Sequence, residues 1–255
     1  MSSNPTPIIL VTGGSRGLGR SAALHLARAG LDVIITYRQQ AADADAALSE
    51  IRALGRKAAA LQLDVGDVAS FPDFSERLVE TLDQVWNRKD FDGLVNNAGM
   101  GANAPIRDLA EADFDALMNV HFKGVLFLTQ HLEPMLVDGG RILNVSTGLT
   151  RFTFPGLGAY AAMKGAVEVL TRYQAVEFGD RGITVNVLAP GAIETDFGGG
   201  LVRDNAEVNA HIASVTALGR VGLPADIGSA VAGFMSGGFD WMTGQRIEVS
   251  GGQSL

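Results

Sequence analysis

The 255-residue sequence contains no cysteine, which excludes disulfide bonds, zinc–thiolate sites and cysteine nucleophiles. Charged residues make up only 19% of the chain, the net charge is −8, and no run of Lys or Arg exceeds two residues. Neither a nucleic acid nor an anionic membrane is therefore an expected partner. No apolar run approaches the roughly 18 residues of a membrane span, and the N-terminal stretch lacks the basic start of a signal peptide. These absences favour a cytoplasmic, enzyme-like protein, for which we predict no metal site.

Apolar residues and glycine are abundant, with 47% hydrophobic residues and 32 glycines. Apolar runs of strand length alternate with longer helical patterns, which predicts a parallel sheet covered by helices on both faces. We therefore predict one domain of the doubly wound α/β class with right-handed crossovers. The predicted strands are 8–12, 33–37, 58–63, 93–97, 141–145, 183–189 and 245–249, and helices are expected near 20–30, 43–54, 68–85, 111–136, 159–178 and 225–236. The least regular region is 191–223, with three successive glycines, and we predict a mobile segment over a site at about 191–219.

A glycine-rich turn, TGGSRGLGR at 12–20, follows the first strand and opens the first helix. Gly13, Gly17 and Gly19 allow the backbone to approach a pyrophosphate, and the helix N-terminus offers free N–H groups to it. The spacing G-x-x-x-G-x-G differs from the usual dinucleotide fingerprint and from a Walker A loop. The alternative is a tight turn that serves helix packing only.

The end of the second strand indicates which dinucleotide is preferred. An NAD site usually has an acidic residue there, which binds the ribose 2′-OH, whereas this chain has Thr36, Tyr37 and Arg38. Arg38 and Arg16 are suited to clamp a 2′-phosphate. We therefore predict NADP(H) over NAD(H), the alternative being two solvated surface arginines.

Tyr160 and Lys164 stand four residues apart in AYAAMKGAV, and residues at i and i+4 lie on the same face of a helix. A nearby cation favours the phenolate and lowers the pKa of the phenol. The pair is thus a candidate tuned proton donor. The alternative is an ordinary surface pair on an amphipathic helix.

Eight motifs in order resemble the short-chain dehydrogenase/reductase family over residues 8–252, namely TGGSRGLG (12–19), LDV (63–65), NNAG (96–99), MNV (118–120), NVST (144–147), YAAMK (160–164), NVLAPGAIET (186–195) and GQRIEVSGG (244–252). The resemblance implies a Rossmann-type sheet and hydride transfer between NAD(P) and an alcohol or carbonyl group. Tyr160 matches the family's acid/base. Lys164 matches the lysine that binds the nicotinamide ribose and depresses the pKa of the tyrosine. Asn119 matches the asparagine of a water chain to solvent, although an ordinary buried amide is also compatible.

The same resemblance implies the cofactor-binding positions. Asp64 and Val65 would meet the adenine, Asp64 alternatively being a helix N-cap, and NNAG would line the adenosine ribose side. Pro190–Gly191 would border the nicotinamide, the alternative being that these two residues only form a turn. Thr195 would bond the carboxamide of the nicotinamide or a phosphate. The full predicted set is Gly13, Ser15, Arg16, Gly17, Leu18, Gly19, Tyr37, Arg38, Asp64, Val65, Asn97, Ala98, Gly99, Tyr160, Lys164, Pro190, Gly191, Ile193 and Thr195.

One position departs from the family. Thirteen residues before the tyrosine the family usually has a catalytic serine, whereas this chain has Thr147, beside Ser146. Adjacent side chains of a strand face opposite ways, so only one of the two faces a substrate. We predict that Thr147 replaces the serine, because its hydroxyl is an equivalent donor. The alternatives are that Ser146 rotates in or that the site is impaired.

The substrate pocket is expected to be formed by 147–154, 100–103 and 191–215, which favours an apolar carbonyl or alcohol. Phe152 and Phe154 are alternatively core or interface residues. Two rival functions are a 3-oxoacyl-thioester reductase and a non-catalytic NADP(H) sensor. The first is disfavoured, because the segment 196–219 carries only Arg203 as a basic anchor for an acidic carrier protein. The resemblance also implies a homotetramer, with which apolar Val167, Leu170 and Val176 are compatible.

Overall fold

The computed structural model describes residues 6–255, which form one seven-stranded sheet covered by helices. All strands pair in parallel, in the order β3-β2-β1-β4-β5-β6-β7. The apolar runs of β1, β2, β4 and β6 are buried on both faces, as expected for a parallel sheet between helix layers, whereas the edge strand β7 is half-buried. The strands are β1 Ile8–Val11, β2 Asp32–Tyr37, β3 Ala58–Gln62, β4 Phe91–Asn96, β5 Leu136–Val145, β6 Thr184–Pro190 and β7 Arg246–Val249.

Two layers of helices pack on this sheet. One buried apolar cluster joins the sheet to α1, α2 and α9, and a second joins its other face to α3, α5 and the end of α6. The doubly wound α/β prediction is thereby confirmed. The helices are α1 Gly17–Arg28, α2 Ala41–Ala53, α3 Phe71–Trp86, α4 Glu111–Met118, α5 Gly124–Leu132, α6 Gly158–Glu177, α7 Leu201–Asp204, α8 Ala206–Ser214 and α9 Pro224–Met235.

The strand order reverses between β1 and β4, because the chain first builds one half outward to β3 and then returns to build the other half. Adjacent crossovers leave β1 and β4 in opposite directions, so a crevice opens at the carboxyl ends of these strands. Ligands of open α/β sheets bind at such a switch point. The predicted glycine-rich turn and the NNAG stretch both follow strands that end there.

Three parts of the chain differ from the sequence prediction. The helix predicted over 111–136 is divided by a π-helical turn, Asn119–Lys123, and Leu136 already begins β5. The irregular region 191–223 contains the short helices α7 and α8. Val167 is fully buried, so it offers no outer surface to a partner, whereas Val176 is exposed.

Among the helices of residues 6–255, none combines the length and apolar character that crossing a bilayer requires. Part of the stretch in which no signal peptide was predicted, residues 1–5, lies outside the described residues.

Candidate active site

The glycine-rich turn after β1 forms a cradle at the start of α1. Gly13 and Gly17 have φ values of +65° and +56°, a region that favours glycine. A Cβ on Gly19 would lie 2.2 Å from the carbonyl oxygen of Gly13, so no side chain fits between turn and helix. Arg16 precedes α1 without a side-chain cap, and the first turn holds no acidic residue. These free N–H groups and the positive helix end fit the phosphates of a dinucleotide.

The NNAG stretch after β4 is bonded to this turn. The Thr12 hydroxyl accepts hydrogen bonds from the backbone N–H groups of Asn97 and Ala98, each at 2.9 Å. The Asn97 side chain donates to the Thr12 carbonyl at 2.8 Å. Gly13 approaches Ala98 so closely that a Cβ on Gly13 would lie 3.0 Å from its Cα. Asn97 and Ala98 therefore fix the floor of the cradle, whichever cofactor atoms they also meet.

Two arginines lie in the segments next to the cradle, Arg16 directly before α1 and Arg38 directly after β2. Arg16 and Arg38 are both exposed, and neither forms an ion pair within residues 6–255. Tyr37 beside them is half-buried, whereas Ser15 is buried, and Leu18 packs on the core. The two guanidinium groups are thus available to an anion at this rim.

Asp64 and Val65 follow β3 at the same edge. The Asp64 carboxylate accepts a hydrogen bond from the Gly66 N–H at 2.9 Å, and α3 begins only at Phe71. The alternative of a helix N-cap is therefore wrong, and Asp64 closes a turn instead. Val65 lines a small cavity with Thr12 and other residues around the cradle.

Four further predicted positions lie on the segment after β6. Pro190 ends that strand, and a Cβ on Gly191 would lie 2.8 Å from the Cα of Ser250. Ile193 pairs with Gly222 in an isolated parallel bridge. The buried Thr195 hydroxyl accepts from the Phe197 N–H at 3.2 Å. This segment is therefore held by close backbone packing, and Pro190–Gly191 is more than a free turn.

Tyr160 and Lys164 lie in the first two turns of α6 on the buried side of the helix, with exposures of 8% and 3%. The surface-pair alternative is therefore wrong. The Lys164 ammonium donates to the Val145 carbonyl at 2.8 Å, which anchors it to the end of β5. Its Nζ lies 5.9 Å from the centre of the Tyr160 ring. A phenol and a cation thus share one enclosed site.

Burial dominates the ionisation of both groups. It lowers the pKa of Lys164 to about 8 and raises the pKa of Tyr160 above its ordinary value, an effect that the nearby Thr147 side chain partly opposes. The effect of burial on the pKa of Tyr160 thus exceeds that of Lys164 in the protein alone, and the depression of this pKa by Lys164 stays a prediction. The cost of removing the phenolate from water raises the pKa of Tyr160 by more than the nearby Lys164 cation lowers it. Burial also disfavours the charged form of Lys164.

Thr147 and Ser146 directly follow β5. The Ser146 hydroxyl donates to the Glu168 carboxylate at 2.7 Å, so its proton is already bonded within the protein. Thr147 is the residue whose side chain acts on the pKa of Tyr160, and its hydroxyl accepts from the Leu149 N–H at 3.3 Å. The structure thus places Thr147 at the site, as predicted, and not Ser146.

Asn119 begins the π-helical turn between α4 and α5, and its carbonyl accepts from the Gly124 N–H. Its side chain is half-buried, so it is not the ordinary buried amide of the alternative interpretation. That description fits Asn96 instead, whose amide donates to Asn144 at 2.8 Å and to Thr129 at 3.0 Å in the core.

Two rings that were not predicted from the sequence contact Tyr160. The fully buried His121 ring lies perpendicular to the Tyr160 ring, with 5.0 Å between centres. The Phe197 ring is tilted against it at 5.6 Å. A histidine inside an otherwise apolar helix pattern, two residues after Asn119, was the available signal for the first contact.

Three loops meet above Tyr160. A Cβ on Gly101 would touch the Phe197 region, the Ala104 N–H donates to the Gly156 carbonyl at 2.9 Å, and Ile106 lies against Gly158. The first contact joins the predicted pocket stretches 100–103 and 191–215, whereas the other two join residues next to the predicted stretches, 104–106 and 156–158. Exposed apolar side chains on or beside these loops include Ile106, Phe154, Phe197 and Leu201.

Arg151, the one basic residue of the stretch after Thr147, is not part of this apolar surface. Its guanidinium bonds both carboxylate oxygens of Glu248, at 2.6 and 2.9 Å. Phe152 packs beneath Arg151, 5.4 Å from ring centre to guanidinium carbon, and approaches Gly148 closely. Both residues therefore stabilise the turn after β5.

Comparison with known proteins gives consistent results over the whole chain. A family model described as enoyl-(acyl carrier protein) reductase matches residues 13–254. Versicolorin reductase 1 of Dothistroma septosporum is 32% identical, with 96% of this chain and 95% of that protein covered. The short-chain dehydrogenase/reductase FrzI of Cladobotryum sp is 36% identical, with 98% of each covered.

Solved structures agree with this similarity. The angucycline C-6 ketoreductase LanV with bound NADP has a TM-score of 0.93 and 35% identity, covering 99% of this chain and 98% of that one. The promiscuous reductase LugOII has a TM-score of 0.92 and 35% identity, with 98% of each chain covered. This chain thus belongs to the short-chain dehydrogenase/reductase family of oxidoreductases, which transfer a hydride between a nicotinamide dinucleotide and an alcohol or carbonyl group.

Proposed function

We propose that the protein is an NADP(H)-dependent reductase of apolar ketones in which Tyr160 is the general acid. The observation that carries the proposal is the enclosed group of Tyr160, Lys164 and Thr147 at the carboxyl edge of the sheet, beside a cradle that fits a diphosphate. Bound NADPH supplies the hydride in this chemistry. The residues of the chain supply the proton and orient the carbonyl.

Each residue has a distinct task in the proposed mechanism. The Thr147 hydroxyl donates a hydrogen bond to the substrate oxygen, and the Tyr160 hydroxyl gives its proton to that oxygen. A raised pKa keeps the phenol protonated before the reaction, as an acid must be. Lys164, anchored by the Val145 carbonyl, holds a positive charge beside the phenolate that forms. Asn119 holds a chain of water molecules through which a proton from solvent replaces the one that Tyr160 has given up.

The cofactor preference rests on Arg16 and Arg38. They are exposed beside the cradle without ion-pair partners in residues 6–255, and no carboxylate follows β2 where an NAD enzyme would have one. The solved relatives LanV and a blue fluorescent protein from a metagenomic library hold NADP and NADPH, respectively. The remaining predicted cofactor residues, around Gly13, Asp64 and Thr195, would contact the rest of the dinucleotide.

Dissociation constants for NADPH and NADH test this preference. Arg38→Ala should weaken NADPH binding by about ten- to a hundredfold, because each charge-assisted bond contributes about 1.5–3 kcal/mol, and should leave NADH binding nearly unchanged. Arg28→Ala, at the opposite end of α1, is the control and should change neither. Tighter binding of NADH by the unmodified protein would contradict the proposal.

The substrate class follows from the surface above Tyr160. Ile106, Phe154, Phe197 and Leu201 offer apolar contacts, and relatives include enzymes named for the reduction of versicolorin and hydroxynaphthalene. We therefore propose a ketone on a fused-ring or otherwise bulky apolar skeleton. A panel of bicyclic ketones, aliphatic ketones, aldehydes and quinones, followed by NADPH absorbance, should show the highest kcat/KM for the bicyclic ketones.

The 3-oxoacyl-thioester alternative has little support. Arg203, the basic residue of the segment over the site, is paired with Asp196 and Asp204. It is therefore not free to bind an acidic carrier protein. The sensor alternative would be favoured by tight NADPH binding without turnover of any member of the panel.

We also propose a homotetramer in the cytoplasm. Val169, Tyr173 and Val176 form an exposed apolar stripe along α6, at spacings that place them on one face. Light scattering should give four chains per particle. A monomer would contradict the assembly.

A further inference from the structure

His121 is a fully buried histidine in the π-helical turn that begins at Asn119. We propose that His121 is a positioning residue, which fixes the ring of Tyr160 and the backbone of Met100 in the arrangement that proton transfer requires. The inference rests on the proposed role of Tyr160 as the general acid. Single-turn π bulges within helices occur frequently at functional sites.

The hydrogen bonds of the imidazole determine its tautomer. Nε2 lies 2.7 Å from the carbonyl oxygen of Met100 and 3.2 Å from its backbone nitrogen. One nitrogen of a neutral ring is either a donor or an acceptor, and the shorter contact makes Nε2 the donor. Nδ1 is then an acceptor, and it is buried without a hydrogen-bond partner in residues 6–255.

The imidazole is neutral near pH 7. Burial, and after it the positive charge of Lys164, lower the pKa of His121 to about 3, although the bond to Met100 opposes this. His121 therefore does not exchange protons with Tyr160 near neutral pH. Its proposed effect on the reaction is to fix the positions of the Tyr160 ring and the Met100 backbone.

The ring is held tightly between the catalytic tyrosine and the NNAG stretch. Its centre is 5.0 Å from that of Tyr160, with the two planes at 86°. On another side, a Cβ on Gly99 would lie 2.8 Å from Cε1 of His121, so the glycine is required for the imidazole to fit. Phe197 contacts Tyr160 as well, so two rings limit the positions that the phenol can adopt.

A purely structural role does not explain the choice of residue. An aromatic hydrocarbon ring would fill the same buried space without leaving Nδ1 unpaired, and buried polar atoms are nearly always paired. The bond to the Met100 carbonyl is the one interaction that an apolar ring does not provide. Met100 opens the 100–103 stretch of the predicted substrate pocket, so this bond connects the pocket wall to the acid.

The test compares His121→Phe with His121→Gln. The first keeps a ring against Tyr160 and loses the bond to Met100, while the second keeps a side-chain donor and loses the ring. His131→Phe is the matched control, because His131 lies in α5 with its ring against Phe71, 6.1 Å between centres. Near-UV circular dichroism and thermal melting establish that each variant is folded, and kcat and the Kd for NADPH are then measured with a bicyclic ketone.

We expect His121→Phe to lower kcat by about 10- to 100-fold, because displacements of about 1 Å at an active site have effects of this size. The Kd for NADPH should change by less than about twofold, since the hydrogen bonds that join the turn after β1 to Asn97 and Ala98 do not involve His121. His121→Gln should recover part of the lost kcat, and His131→Phe should resemble the unmodified protein. Such a loss in kcat alone would not arise from a general loss of stability.

A folded His121→Phe variant with unchanged kcat would overturn the inference, as would a loss confined to NADPH binding. Failure of both variants to fold would make His121 a core residue and would count against the proposal as well. The role of Tyr160 is tested separately with Tyr160→Phe. If that variant keeps full activity, the proposed function fails; if it is inactive while His121→Phe is not, only the present inference fails.

Discussion

Lys164 is a cation kept in a buried site at the expense of stability, and replacing it with methionine tests this directly. Lys164 is only 3% exposed, and burial lowers its pKa from 10.5 to about 8. At about 1.4 kcal/mol per pH unit, this difference corresponds to about 3 kcal/mol of destabilisation at neutral pH. Methionine fills a similar volume without a charge.

The sign of the pH dependence follows from the two states of the chain. Between about pH 8 and 10.5 the unfolded chain binds the lysine proton and the folded chain has released it. Since the unfolded state then binds more protons, the free energy of unfolding rises with pH in this window. Below about pH 8 the cost is fully present. Raising the pH from 7 to 9.5 should therefore recover about 2 kcal/mol from this one group.

Urea unfolding of the unmodified protein and of Lys164→Met at pH 7 and 9.5 provides the assay. The unmodified protein should gain about 2 kcal/mol more than the variant between the two pH values, because groups common to both cancel. Lys123→Met, at an exposed lysine of the same region, should behave as the unmodified protein does. An equal pH dependence for all three proteins would refute the argument that burial sets the ionisation of Lys164. Loss of reductase activity in Lys164→Met should accompany the altered stability.

Two further predictions concern single side chains. Thr147→Ala should lower kcat by about 10²-fold, the effect of removing a donor to a developing oxyanion. Ser146→Ala should keep kcat within a few fold of the unmodified value. Steady-state kinetics of both variants test this, and a larger loss in Ser146→Ala would contradict the assignment of Thr147. Gly19→Ala should weaken NADPH binding at least about tenfold, because its Cβ would lie 2.2 Å from the Gly13 carbonyl and displace the start of α1. Gly233→Ala, whose Cβ would meet no atom within 4 Å, is the control and should stabilise α9 by about 0.5–1 kcal/mol in urea unfolding.

The strands and the Tyr160–Lys164 pair were accessible from sequence because they depend on local periodicity. Seven apolar runs became seven parallel strands, with ends shifted by a few residues. The i, i+4 spacing placed the phenol and the ammonium on one helix face, which requires only the geometry of a helix. Thr147 was chosen over Ser146 because it lies thirteen residues before Tyr160, the spacing of the catalytic serine in the family that the sequence resembles.

Features that depend on how deeply a side chain is buried, or on contacts between residues distant in sequence, could not be predicted from the sequence. The sequence predicts that a lysine lowers the pKa of a neighbouring phenol, but only the structure shows that burial outweighs that effect. The sequence predicts one continuous helix where the structure has the π-helical turn Asn119–Lys123, because such a turn has no residue signature of its own. The contact of His121 with Tyr160 joins two helical segments. The apolar pattern around His121 singles out the histidine, but the sequence does not show which residue it contacts.

The central claim is that the Tyr160 hydroxyl delivers the proton in carbonyl reduction. The most direct measurement is a single-turnover experiment in which NADPH absorbance is followed after mixing Tyr160→Phe with a ketone that the unmodified protein reduces. The account predicts a rate at least about 10³-fold lower, within the range for loss of a general acid, with NADPH binding weakened by no more than about tenfold through the loss of one hydrogen bond. A variant that oxidises NADPH at the unmodified rate would contradict it.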